Sequence, residues 1–174
     1  MLQDPANFLS PENLKTYKLD SKSSDRSSYV DSNALDLATD IMFRCPPYYN
    51  AKKSASRTLL FDFQAVNPYP GARWNYRKAH HGANDLFVFN PAPDLVSAED
   101  RRNWDDTVAR VQETWITFCY GELPWKPFDK TIDGPVYLFA DSGQSREAQN
   151  LVDALGQETA SQWATVLAQA SCDS

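Results

Sequence analysis

Apolar residues in this chain come in short blocks, and the spacing within each block predicts a different element. From Asp31 or Ser32, a capping position, Leu35, Ala38, Ile41 and Met42 recur at helical intervals and predict a short amphipathic helix ending before Pro46-Pro47. TLLFDFQAV (58–66) is apolar and aromatic with Asp62 its only charge, the pattern of a strand. A proline-glycine loop, NPYPGARWNYRKA (67–79), leads to His80-His81-Gly82, a turn-like Ala83-Asn84-Asp85 and the apolar run DLFVFN. After a proline-rich link (91–94) comes the clearest helix. Ser97 and Asp100 form a capping-box-like start, Trp104, Val108, Val111, Trp115 and Phe118 follow at helical spacing, and Gly121 and Pro124 close it. GPVYLFAD (134–141) predicts a second strand, and a helical tail runs from about Arg146 to Ala170, broken near Gly156. The first thirty residues are polar, with SKSSDRSS (21–28) a solvated loop, and no repeat or low-complexity tract occurs. Helices alternating with strands favour an α/β class, although two or three strands are few for a self-contained doubly wound sheet.

Composition narrows the partners. At 174 residues, 42% hydrophobic and 13% aromatic, the chain is long enough and apolar enough for one packed domain. A net charge of −6, with Lys52-Lys53 and Arg101-Arg102 the only adjacent basic pairs, argues against a nucleic-acid surface. No run approaches membrane-spanning length. The opening MLQDPANFLSPENL has neither a basic nor an apolar leader region, so no signal peptide is expected there, and localisation stays open. Cys45, Cys119 and Cys172 are too widely spaced for a zinc site or a redox pair; one disulfide with a free thiol, or three reduced thiols, both fit.

The candidate chemistry centres on His80 and His81, the only histidines in the chain. A loop leaving a strand at the carboxyl edge of an α/β sheet is where such folds place reactive groups, and imidazole moves protons near neutral pH. A pair of surface histidines without a role fits the same residues. No G-x-S-x-G nucleophile turn occurs. Gly143-Gln144-Ser145 comes nearest, but Glu147 stands where the second glycine belongs, so Ser142 and Ser145 read as turn or cap residues. Cys119 falls in the apolar helix pattern and reads as core. Asp62, Asp85 and Asp141 are carboxylates that would suit a pocket, with no spacing that marks a pair. The glycines are too few and scattered for a phosphate-cradling loop, two histidines without a His/Asp/Glu cluster argue against a metal site, and the aromatic residues read as core, so no cofactor or metal is expected.

Motif order supplies a family. KAHHGANDLFVFN (78–90) resembles the G-A-x-H-G-x-[DE]-L-P-[YF]-V-F segment of type-B carboxylesterases, the carboxylesterase, lipase and cholinesterase group of α/β-hydrolases. Aligned on Gly82, His81 falls on the catalytic histidine and Phe87-Val88-Phe89 on the aromatic-Val-Phe triplet. Lys78 replaces the first glycine and Asn84 the acidic residue, while Asp85-Leu86 is displaced by one and the proline is lost. MFRCPPYYNA (42–51), TLLFDFQAV, ETWITFCYGELPWKPFD (113–129) and GPVYLFAD resemble further segments in the family's order, covering about residues 30 to 160.

The resemblance implies the carboxyl-terminal part of an α/β-hydrolase fold with an incomplete sheet. Residues 1–30 would be a polar leading segment, 31–170 the carboxylesterase portion and 171–174 a tail. The serine, acid and oxyanion hole of the family lie upstream of the matched segments, so only His81 carries over, as the general base and acid of an incomplete triad. The expected partners are an ester substrate once the upstream part is present, and another polypeptide surface covering exposed apolar faces. A non-catalytic, carboxylesterase-like interaction domain is the alternative, and a small hydrolase using Ser145 a third.

Overall fold

The structure, a computed structural model, describes residues 10–19, 32–73, 75–141 and 144–171. The predicted loop at 21–28 lies outside the described residues, as do Ser142 and Cys172. The chain is mixed helix and strand, of the α/β class, and divides into two compact units. One is drawn from the two ends of the chain, up to Ala55 and from Leu151; the other comprises Ser56–Asn150.

The first unit is helical. Ser10 opens α1 (Pro11–Thr16): its hydroxyl accepts from the Asn13 amide, and Pro11 occupies the first turn, where a missing N–H costs nothing. This S-P-E signature sits within the polar leading segment, for which the sequence pattern predicts no helix. The helix predicted to end before Pro46-Pro47 does not end there. α2 (Ser32–Thr39) passes into a π-helical turn (Asp40–Arg44) and then into α3 (Cys45–Lys53), whose first turn holds both prolines. The widened turn lets the Cys45 amide reach the Asp40 carbonyl, and the prolines then fall where no intrahelical donor is required. Asp40 is buried, accepting from the Tyr17 hydroxyl at 2.6 Å and from Arg44 at 3.1 Å. Burial, reinforced by the Asp40 charge, pushes the Cys45 thiol up to about 12, so it is protonated and inert at neutral pH. Gly156, at φ 81°, separates α6 (Leu151–Leu155) from α7 (Gln157–Ser171), as the sequence predicts. α7 packs on α1 and α3, burying Trp163 and Val166.

The second unit carries the sheet, in the order β1 (Phe61–Phe63), β2 (Val136–Phe139), β3 (Arg146–Ala148). β1 runs parallel to β2, with Phe61 opposite Tyr137, and β3 pairs antiparallel to β2. β1 is thus much shorter than the apolar run 58–66 suggests. Residues 146–148, predicted as the start of the tail helix, form a strand because their backbone pairs with Val136–Leu138. Gly134 leads into that pairing. A Cβ there would lie 2.2 Å from the Gln149 carbonyl oxygen, leaving room only for glycine.

Two helices connect the parallel strands. α4 (Ala83–Phe89) occupies the stretch whose first residues look turn-like, and α5 (Arg101–Cys119) is the predicted long helix. The Ser97 hydroxyl accepts from the Asp100 amide at 3.2 Å and donates to its carboxylate at 3.0 Å, but these bonds close a turn before the helix: α5 has Asp100 itself as N-cap, with no side-chain capping bond, so the predicted capping box does not form. Asn90 ends α4 in the left-handed region, and its Oδ1 accepts from the Trp104 indole at 3.1 Å, fastening α4 to α5. Part of the aromatic set forms the core of this unit, Phe87, Trp104, Trp125 and Phe139 among it. Phe87 lies 4.5 Å from the Trp104 ring and 5.2 Å from Phe63, and Phe63 continues to Phe139. Cys119 is not core: it is exposed at the end of α5 beside Phe118 and Tyr120, where the apolar pattern outruns the packing. Cys45 and Cys119 are both free thiols.

Candidate functional site

The loop from β1 to α4 starts at the carboxyl edge of the parallel strands and closes on Asn67. That residue is buried, and its backbone accepts from the Arg77 amide at 2.8 Å and donates to the Lys78 carbonyl at 3.1 Å, drawing the two ends of the loop together. Its side chain makes an Asx turn, Oδ1 accepting from the Tyr69 amide at 2.9 Å, while Nδ2 faces His80 Nε2 at 3.1 Å.

His80 and His81 take different positions. His80 is half-buried and both of its ring nitrogens are engaged, Nε2 with Asn67 and Nδ1 with the His81 carbonyl at 2.8 Å. His81 is exposed in the turn that follows. The Ala83 amide donates to the His80 carbonyl at 3.0 Å, and Gly82 has φ 79° and ψ 0°. These are the third-position angles of a type II turn, which require φ > 0 and so favour glycine. His81 is thus the second residue of a tight turn feeding directly into α4.

Beside this loop, a cavity of about 270 Å³ opens at the carboxyl ends of β1 and β2, with Val66, Arg77, Phe87, Asp100, Trp104 and Asp141 in its lining. Arg77 grips Asp100 through both carboxylate oxygens at 3.2 Å. Asp141, just past β2, accepts from the Val66 amide at 3.2 Å. Burial raises its pKa above the ordinary carboxyl value; the nearby Asp100 charge adds to the rise and the Val66 N–H opposes it.

A raised carboxyl pKa means the folded state holds its proton to higher pH than the unfolded chain. That contribution to stability is complete below the unfolded pKa and is lost as pH climbs through the folded one. Asp141→Asn keeps an oxygen for Val66 and removes the charge. It should raise the melting temperature at pH 7 and leave it nearly unchanged at pH 3, a difference read by thermal unfolding at the two values.

The other carboxylates proposed from sequence do not join Asp141. Asp62 accepts from the Gln64 side chain on the surface, and Asp85 from Asn84 in the first turn of α4. Ser145 braces a turn, accepting from the Ala140 amide at 3.0 Å and donating to its carbonyl at 3.1 Å. The cavity it lines, about 320 Å³ with Asp106, Arg110 and Glu113, has no histidine in its wall. Glu147 sits on β3 with its carboxylate 3.2 Å from Lys126. Asn67, Arg77 and Asp100 do not stand out in the sequence as site residues. The Asn67-Pro68 dipeptide is a turn-initiating signal, and it marks the residue on which the loop closes.

Among the described residues no group of three or more His, Cys, Asp or Glu is arranged to hold a metal ion, and no helix is long and apolar enough to cross a membrane. The chain matches no family model, no curated protein and no solved structure.

Proposed function

We propose that the chain is the carboxyl-terminal portion of a type-B carboxylesterase, an ester hydrolase of the Ser-acid-His kind, with His81 as the general base. In the completed enzyme His81 would take the serine proton during attack on the ester carbonyl and deliver it to the departing alcohol. The observation that carries this reading is the placement of His81. It lies on an exposed tight turn at the end of a loop anchored to the carboxyl edge of parallel strands, directly before the helix bearing Phe87-Val88-Phe89. The ordered set of resembling segments supports it further.

The same reading gives the unfilled surfaces a role. Among the described residues β1 has a strand neighbour on one side only. Ile116, Phe118, Tyr120 and Leu123 are exposed at the end of α5 and just beyond. An upstream part of an α/β-hydrolase would extend the sheet and cover such apolar surface.

The test is complementation. The isolated chain should not hydrolyse p-nitrophenyl butyrate; co-expressed with an amino-terminal carboxylesterase portion carrying the serine and acid, it should co-purify and hydrolyse that ester. Hydrolysis by the isolated chain, or a co-purifying pair without activity, overturns the proposal. The latter result favours an interaction domain.

A further inference from the structure

The hydrogen bonds around His80 determine where its proton resides. Asn67 Oδ1 is occupied by the Tyr69 N–H, which fixes the amide orientation and leaves Nδ2 facing the ring. An amide NH₂ only donates, so His80 Nε2 accepts and carries no proton. On the opposite side of the ring the His81 carbonyl only accepts, so Nδ1 carries the proton and donates at 2.8 Å. The bonds therefore require a neutral ring protonated at Nδ1. Protonation of Nε2 would set N–H against N–H and break the link to Asn67.

From this geometry we infer that His80 is a positioning residue for His81: a strut between the buried Asn67 and the peptide of the catalytic turn. The strut acts within the turn itself, on the His81 carbonyl. Asn67 draws Arg77 and Lys78 together, and the Ala83 N–H closes the turn onto the His80 carbonyl. The orientation of the His81 carbonyl between them is held by His80 Nδ1. Fixing that peptide fixes the direction in which the His81 side chain leaves the turn. Proton transfer in a triad depends steeply on such alignment. The role in catalysis rests on the esterase reading; the strut itself does not.

Two measurements separate these claims. In a two-bond ¹H–¹⁵N spectrum of the uniformly labelled 174-residue chain at neutral pH, His80 should show a protonated-type Nδ1 and a bare-type Nε2. This is the reverse of the form that dominates in unconstrained imidazole. A protonated-type Nε2, or shifts averaged as in a free side chain, overturns the strut. Asn67→Asp keeps the acceptor for Tyr69 but faces the ring with an oxygen, so both His80 nitrogens should become protonated-type; an unchanged spectrum likewise overturns it. In the complemented esterase, His80→Ala should lower kcat on the order of 10- to 100-fold with KM little changed. A His80→Ala enzyme within twofold of the parent overturns the positioning role. A complemented pair with no activity overturns the esterase reading and the positioning role with it, while the spectrum still decides the bond.

Discussion

In a complemented ester hydrolase, His81→Ala is expected to lower kcat on the order of 10⁴- to 10⁶-fold. Triad members act as a unit. Without a base the serine hydroxyl is a weak nucleophile at neutral pH, and any residual rate comes from oxyanion stabilisation and substrate binding. His81 is exposed in a turn where loss of its side chain removes no core packing, so the variant should melt with the parent. Steady-state kinetics beside a thermal melt separate lost chemistry from lost structure. A large fall in kcat at unchanged stability is the expected pair, set against the smaller loss expected of His80→Ala.

The largest effect on stability is expected at Phe87. Its side chain is 1% exposed, packed between Phe63 and Trp104, and it anchors the helix that begins immediately after the histidine turn. Phe87→Ala should cost about 3–5 kcal/mol through lost burial and the cavity left behind, lowering the melting temperature by roughly 10 °C. Phe89, two residues on, is 74% exposed, and its replacement by alanine should change stability by about 0.5 kcal/mol or less. The contrast tests the secondary structure itself. In a strand, residues two apart share a face; in a helix they point to well-separated directions. Equal losses at the two positions, measured by thermal or urea unfolding, would contradict the helical packing of 83–89.

What the sequence disclosed about this fold depended on where the decisive interactions lie. α5 was legible because Trp104, Val108 and Val111 lie on one face at helical spacing, all of it local. Gly156 likewise announced the break before α7 by needing a left-handed backbone. β3 was not legible: Arg146-Glu147-Ala148 has no strand pattern, and its state is set by pairing with β2. α3 ran past Pro46-Pro47 because a π turn absorbed what a regular helix would not. Cys119 lay on the α5 pattern, but no neighbour covers that end among the described residues, so periodicity overstated its burial.

The site divides the same way. The histidine pair and its turn glycine stand out in the sequence, and the fold separates the two rings into an exposed residue and a half-buried one bonded at both nitrogens. Asn67 lies thirteen residues before His80 and joins it only once the loop has closed, so spacing gave no reason to connect them. Asp141 reaches Val66 across seventy-five positions for the same reason.

The central claim, that His81 is a base for a serine in another part of the enzyme, is tested most directly by the rate at which a fluorophosphonate labels that serine. Labelling of an upstream carboxylesterase portion should accelerate strongly when this chain is added and not when the His81→Ala chain is added, with all label on the upstream portion. Label on the 174-residue chain itself, or acceleration indifferent to His81, would contradict the account.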